Sequence, residues 1–330
     1  MKKSKLSRML AAFLVLVMVL TMLPGTTLAI EIDLQADQTA PCQITEGCIL
    51  ADGHEGDCVV EEEPDQDLSE NGSSANQGNM TPLAAAPVTD EASFLEAVTA
   101  GGEVTLEGSF ALTSDVTIAK DVTLDLNGQT LTTGSYSLKI SGGNLTIQDN
   151  SADTTGKITG TDYIVDMNTA GSNTVTLESG TLEGTGWSAV ARIGKGNTFV
   201  MTGGIARQTQ NNATYVLLVN ISGTANVTGG RIEGSIRGIS ASAASSVVNV
   251  GAVPADSTQT EEEAGKVYVS AVYASSANAQ IALNSGTVGK VFGTVGTGFV
   301  LNCWFEQDVS SYLPAGMMCT EVDGHWQVAM

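Results

Sequence analysis

The chain has 330 residues, 36 of them acidic and 14 basic, with 42% hydrophobic and 5% aromatic side chains. Nucleic acid is excluded as a partner, because phosphate recognition needs clusters of Lys and Arg and the sequence has none. The apolar fraction suffices for a folded core, and the acidity serves solubility.

Residues 1–29 read as a signal peptide: "MKKSKLSR" is positive, "MLAAFLVLVMVLTML" is an apolar run, and "TLA" places small residues before a cut after Ala29. The run is shorter than the ~20 residues of a spanning helix, so a retained anchor is the weaker alternative. Removing Lys2, Lys3, Lys5 and Arg8 leaves ten basic residues against 36 acidic ones, a net charge of −26. No later stretch is long and apolar enough to span a bilayer, and no lipid-attachment or wall-sorting signal is evident. The expectation is a protein secreted or held non-covalently at the cell surface.

Residues 30–88 carry 13 acidic side chains and no Lys or Arg. Such a stretch buries too little apolar surface to offset its ordering entropy, so a largely disordered spacer is expected. Within it "CQITEGCILADGHEGDC" holds Cys42, Cys48, Cys58 and His54. An exported chain favours a disulfide, with Cys48 and Cys58 as candidates; a zinc site or free thiols are the alternatives.

The folded part is expected to begin at residue 89. Thr89 or Asp90 can cap a short helix bearing Glu91 in its first turn and Phe94, Leu95 and Val98 on one stripe, ended by Gly101 and Gly102. Val104 and Leu106 then alternate with polar residues at strand period. Up to residue 302 the chain repeats short runs of Val, Ile, Thr and Leu broken by Gly, Asn, Asp and Ser. The apolar residue before successive turns falls at Leu124, Ile147, Leu177, Met201, Val227, Val250 and Leu283. Most gaps are roughly 23 to 30 residues, too short for crossover helices. The last gap holds an acidic insertion, "PADSTQTEEEAGK", expected on a protruding loop.

These features specify an all-β fold: a right-handed parallel β-helix of about eight coils, roughly 40 Å long at the interstrand spacing, with a short N-terminal capping helix. In that array Asn127-Gly128 reads as a coil corner with left-handed dihedrals, not as a hairpin. Residues 303–330 are expected to cap the end with a β-hairpin turning at Asp323-Gly324. Cys303 and Cys319 flank this cap and are either a disulfide or two small buried thiols.

The phrases "LDLNGQTLTT", "NLTIQDNSADTTGKITG" and the "TGGxIxG" cadence resemble the pectate-lyase-like solenoids of secreted and surface proteins in clostridial-type gut bacteria. The resemblance covers residues 89–302. It implies a fold shared by lyases, hydrolases, adhesins and uncharacterised surface proteins, so activity has to be argued from a site.

A lyase on this scaffold needs a base beside calcium-holding carboxylates; a hydrolase needs paired carboxylates. Asp125 and Asp149 lie at turns one coil apart and are the weak calcium candidates, with Asp162 and Asp166 following. Turn formation is the blander reading, since Asp in turns bonds its own backbone. The Asn-Thr-Asp, Asp-Asp and Arg-Xaa-Pro-Xaa-Xaa-Arg motifs are missing, and His54 and His325 both lie outside the repeats. No catalytic residue is assigned, and no cofactor is implied beyond possible calcium.

Tyr163, Trp187, Tyr215 and Tyr268 each open a strand after a turn, with Arg237 in the remaining place. Alternation with Val165 and Met167, or Leu217 and Val219, favours rings filling the core. Rings facing outward would instead form a platform for sugars, with Arg192 and Asn220 for polar contacts. The expectation is a non-catalytic binding module for a glycan or a host or cell-surface protein. Alternatives are a calcium-dependent lyase or hydrolase on acidic polysaccharide, and a structural component of a surface assembly.

Overall fold

The computed structural model describes residues 87–329 except 213, 214, 235, 254–258, 295–298 and 314–315. The expected leader, most of the acidic spacer, and Cys42, Cys48, Cys58 and His54 lie outside the described residues. No helix among the described residues is long and apolar enough to cross a membrane.

Helix α1, Glu91–Ala100, starts where the sequence places it. The Asp90 side chain accepts from the Ser93 amide and the Ser93 hydroxyl accepts from the Asp90 amide, satisfying two free donors of the first turn. The Glu91 carboxylate accepts from the Thr113 amide and hydroxyl, both at 2.7 Å, which fastens the helix to the first coil. Phe94 and Val98 are buried, and the Phe94 ring lies 5.6 Å from that of Phe110.

From Gly102 onward every third strand joins the same sheet. The first sheet has nine strands, from Gly102–Thr105 to Phe299–Leu301; the third has eight, from Val116–Ile118 to Val291–Gly293. The second has eleven, beginning at Phe110–Ala111 and ending with the C-terminal hairpin. The solenoid pairs are parallel, and the chain is the all-β parallel β-helix its periodicity specifies.

Leu124, Ile147, Leu177, Met201, Val227, Val250 and Leu283, the apolar residues that precede successive turns, pair in register as one inward stack of the first sheet. All seven are fully buried. Full burial of each such side chain contributes about 1.5–3 kcal/mol, which a lone coil cannot realise because its apolar side would face water. Stacking supplies the missing wall.

Corners carry the strain. Asn127 (φ 46°) and Gly128 (φ 75°) are both left-handed, as expected, and the Asn127 amide group donates to Leu106 O of the previous coil at 3.0 Å. At another corner Asn197, fully buried, donates to Met167 O at 2.9 Å and Thr169 O at 2.7 Å and accepts from the Asn173 amide at 3.1 Å. Without it, Thr169 O and the Asn173 amide would lose this partner, and Met167 O would keep only the Gly194 amide.

Three details depart from the sequence reading. The acidic insertion is not all loop: Glu261–Lys266 forms a short helix, α2, because Thr260 and Glu263 complete a capping box. Parallel pairing continues past residue 302, with Trp304–Phe305 adding to the second sheet. The hairpin of Met318–Val322 and His325–Ala329 then joins that sheet alone, through Phe305 and Trp326. Val88, counted with the spacer, is buried and bridges to Leu106. Cys303 and Cys319 are separate thiols; the buried Cys303 donates to Ser285 O at 3.1 Å, and burial pushes its thiol pKa up.

Candidate functional site

All four arginines beyond Arg8 fall between residues 192 and 237. The solenoid gathers them on neighbouring coils, around the corner where the chain passes from the second sheet to the third.

Arg192 is the outward residue of strand Ala191–Ile193, in register with Asp166 on the strand before it. Its Nε and Nη2 donate to the two Asp166 oxygens at 2.9 and 2.7 Å, which raises the guanidinium pKa, and its plane lies 4.3 Å over the Tyr163 ring. This fork is rigid and geometrically specific. At the corner, the Arg237 guanidinium lies 3.8 Å from the Tyr273 ring centre, 5.2 Å from Tyr215 and 5.7 Å from Phe292. Its Nε is buried with no hydrogen-bond partner among the described residues, and the ring faces stabilise the charge.

On the second sheet Glu183 accepts from Arg207 on one side and from Lys157, at 3.2 Å, on the other. Burial alone would raise the Glu183 carboxyl, but the Arg207 and Lys157 hydrogen bonds outweigh it and hold the pKa below its usual value. Arg231 lies 4.4 Å over the Tyr268 ring and donates through Nε to Glu233 at 2.8 Å. An open cleft of about 440 Å³ runs between these groups, lined by Arg207, Gln208, Arg231, Glu233, Tyr268 and Ser270 among others.

The aromatic residues lie outside the core. Tyr163 and Tyr215 are half-buried and Trp187 is 65% exposed, while the largest core rings are Phe94, Phe199 and Phe305. Core filling was expected by carrying the two-residue alternation back through the corner. The corner breaks the phase: Ile164 and Val165 are buried in succession, as are Val216 and Val190 with the residues that follow them. A buried doublet turns the residue before it outward. Three further expectations are corrected by topology. Trp187 is out of the column, because the register puts the buried Ala189 between Tyr163 and Tyr215. Tyr268 belongs to the second sheet, opposite Arg231, not to the column of Tyr163 and Tyr215. Asn220 follows strand Leu217–Val219 at the opposite corner, where it accepts from the Ser242 hydroxyl at 3.0 Å. Tyr273 and Phe292 were missed, although "VYA" and "VFG" each show an aromatic at the outward position of a strand.

The carboxylates proposed for calcium are occupied by the chain. Asp125 accepts from the Asn127 amide at 2.9 Å and from the Asn150 side chain at 2.8 Å. Asp149 is buried and accepts from the amides of Gly128 (2.8 Å), Ser151 (3.2 Å) and Gly156 (2.6 Å). Burial alone would raise its pKa, but the Gly128 bond and its companions outweigh that and lower it. Among the described residues no three His, Cys, Asp or Glu side chains gather to hold a metal. His325 stacks on Trp304 in the terminal hairpin, ring centres 5.2 Å apart.

Comparison with known proteins leaves the site to speak for itself: no protein-family model, no curated protein and no solved structure matches the chain.

Proposed function

We propose that the protein is an exported, non-catalytic β-solenoid of the pectate-lyase-like kind that binds a glycan along the corner between its second and third sheets. One observation carries this reading: tyrosines lying against arginines at this corner, Tyr163 with Arg192 and Tyr215 with Arg237, with Trp187 exposed in the turn that leads into the strand between theirs, Ala191–Ile193. Sugars present apolar ring faces and a fringe of hydroxyl groups. Aromatic faces suit the first, and arginines fixed in position suit the second. The Asp166 fork and the ring contacts limit the side-chain entropy that binding costs.

The test is a glycan and mucin screen with the chain beginning at Ile30, followed by titration of any hit. Binding is expected at millimolar ligand or below, weakened at least tenfold by Trp187→Ala with the melting temperature unchanged. No binding at millimolar ligand, or turnover of a polysaccharide, would overturn the reading.

A further inference from the structure

Arg192, Arg207 and Arg231 each have a carboxylate partner, in Asp166, Glu183 and Glu233. Arg237 has none among the described residues, and its Nε has no hydrogen-bond partner there either. Three strands fix where its charge goes. Ile239–Ala241, Val272–Ala274 and Val291–Gly293 pair in register, so Ser240, Tyr273 and Phe292 form one outward column of the third sheet. The guanidinium does not stay on its own coil. It lies 3.8 Å from the Tyr273 ring centre on the next coil and 5.7 Å from that of Phe292 on the one after. Phe292 also lines a cavity of about 550 Å³ at the C-terminal end of the same corner, together with Ile236, Val291, Val309, Tyr312 and the exposed Lys290. Lys290, like Arg237, has no carboxylate partner among the described residues. The nearby acids are engaged elsewhere. Asp308 accepts from the Ser310 amide at 2.8 Å and from its hydroxyl, while Glu306 stands beside the Tyr268 hydroxyl, whose pKa burial and this carboxylate raise.

A lone surface lysine needs no partner. Two uncompensated cations beside one ring-lined cavity, in a chain of net charge −22, call for an anion from outside. We infer that this end of the corner takes the acidic group of the ligand, a carboxylate or sulfate on a sugar ring, held by Arg237 and Lys290 with the ring against Phe292 and no bridging metal ion. The inference rests on the glycan reading and adds to it the charge of the sugar and the place where that charge is met. A neutral sugar would offer the guanidinium hydroxyl groups alone. An acid completes for Arg237 the charge-assisted pairing that the other three arginines already have within the chain. Such a pair gains where water is partly excluded, and the rings around Arg237 exclude it on several sides. The apolar lining of Ile236, Val291, Phe292 and Tyr312 suits the face of the ring that carries the acid.

Calorimetric titration of the chain beginning at Ile30, in EDTA, tests this with four disaccharides of one linkage. One ends in glucuronate, one in its methyl ester, one in 6-sulfated glucose and one in glucose. The glucuronate or the sulfate probe is expected to bind at millimolar concentration or below, at least tenfold tighter than the ester and the neutral sugar, and the tighter of the two identifies the acid. Lys290→Gln and Arg237→Gln should each remove most of that difference while leaving the neutral sugar within about twofold of wild type. Arg237 is partly buried, so the melting temperature of its variant is measured alongside; Lys290→Gln, at an exposed position, should melt as wild type does and decides the matter if Arg237→Gln unfolds. Ester and neutral sugar binding as tightly as the acids would overturn this inference and leave the glycan reading standing. Acid binding that needs calcium, or that survives both substitutions, would also overturn it. No binding of any of the four probes overturns it too, and if the wider glycan screen is equally empty the glycan reading falls with it.

Discussion

Replacing Asp149 is the sharpest probe of the corners that hold the coils in register. Its carboxylate accepts from the Gly128 amide one coil earlier and from Ser151 and Gly156 in its own turn, while its amide donates to the Ser179 hydroxyl one coil later, at 2.7 Å. Asp149→Ala strands three donors, of which the Gly156 amide is the most deeply buried. Hydrogen bonds to a charged group contribute about 1.5–3 kcal/mol each, and the two shallower donors can recover water, so a loss of about 3–5 kcal/mol is expected. Asp149→Asn keeps one acceptor and turns the other into a donor facing a donor, for a loss of about 2–3 kcal/mol. The pH dependence has a definite sign. The folded-state pKa is depressed, so the carboxylate's contribution is present above its unfolded value near 3.8 and is lost as pH falls through the lower folded value. Urea unfolding, followed by circular dichroism and tryptophan fluorescence from pH 7 to 2, should show wild type losing more stability below about pH 4 than Asp149→Asn does. An Asp149→Ala variant within about 1 kcal/mol of wild type, or an unaltered acid slope in Asp149→Asn, would refute the reasoning.

Other expectations follow from the same geometry. Calcium at millimolar concentration should leave the melting temperature unchanged, because both Asp149 oxygens already accept backbone amides; a rise of several degrees would show that the ion displaces them. Asn197→Ala should cost about 1–3 kcal/mol in a denaturant melt, since Thr169 O and the Asn173 amide lose this partner together while Met167 O keeps the Gly194 amide. Gly186→Ala would place a Cβ 1.9 Å from Thr161 O, so that corner must move, and a stability loss of at least about 2 kcal/mol should accompany displacement of Trp187, read from its fluorescence. Arg192→Ala should change stability by no more than about 1 kcal/mol, the side chain being only partly buried, while weakening any ligand at the corner.

The solenoid was legible because its physics is repetitive. A strand cannot hide its apolar side alone, so Leu124, Ile147, Leu177 and Met201 recur at the spacing of a coil, and that spacing survives in the sequence. The corner was harder to read. Alternation locates Val165 and Leu217 correctly, but a buried doublet at Ile164 and Val216 shifts the phase by one residue, and propensity holds no record of that shift. Hence Tyr163 and Tyr215 lie outside when periodicity puts them inside. The gathering of Arg192, Arg207, Arg231 and Arg237 was visible as a cluster in sequence, yet its meaning depends on which sheet each faces. Register fixes that, and register is long-range.

The two ends of the solenoid are unlike. One carries α1, tied down by Asp90, Ser93 and Glu91; at the other the terminal hairpin extends a single sheet, and among the described residues the last strands of the first and third sheets, Phe299–Leu301 and Val291–Gly293, have a neighbouring strand on one side only. In a structure where each coil rests only on those beside it, amide exchange should therefore grow steadily slower from the C-terminal coils toward the helix. Unfolding would then have a direction, peeling from one end like a spring whose other end is clamped.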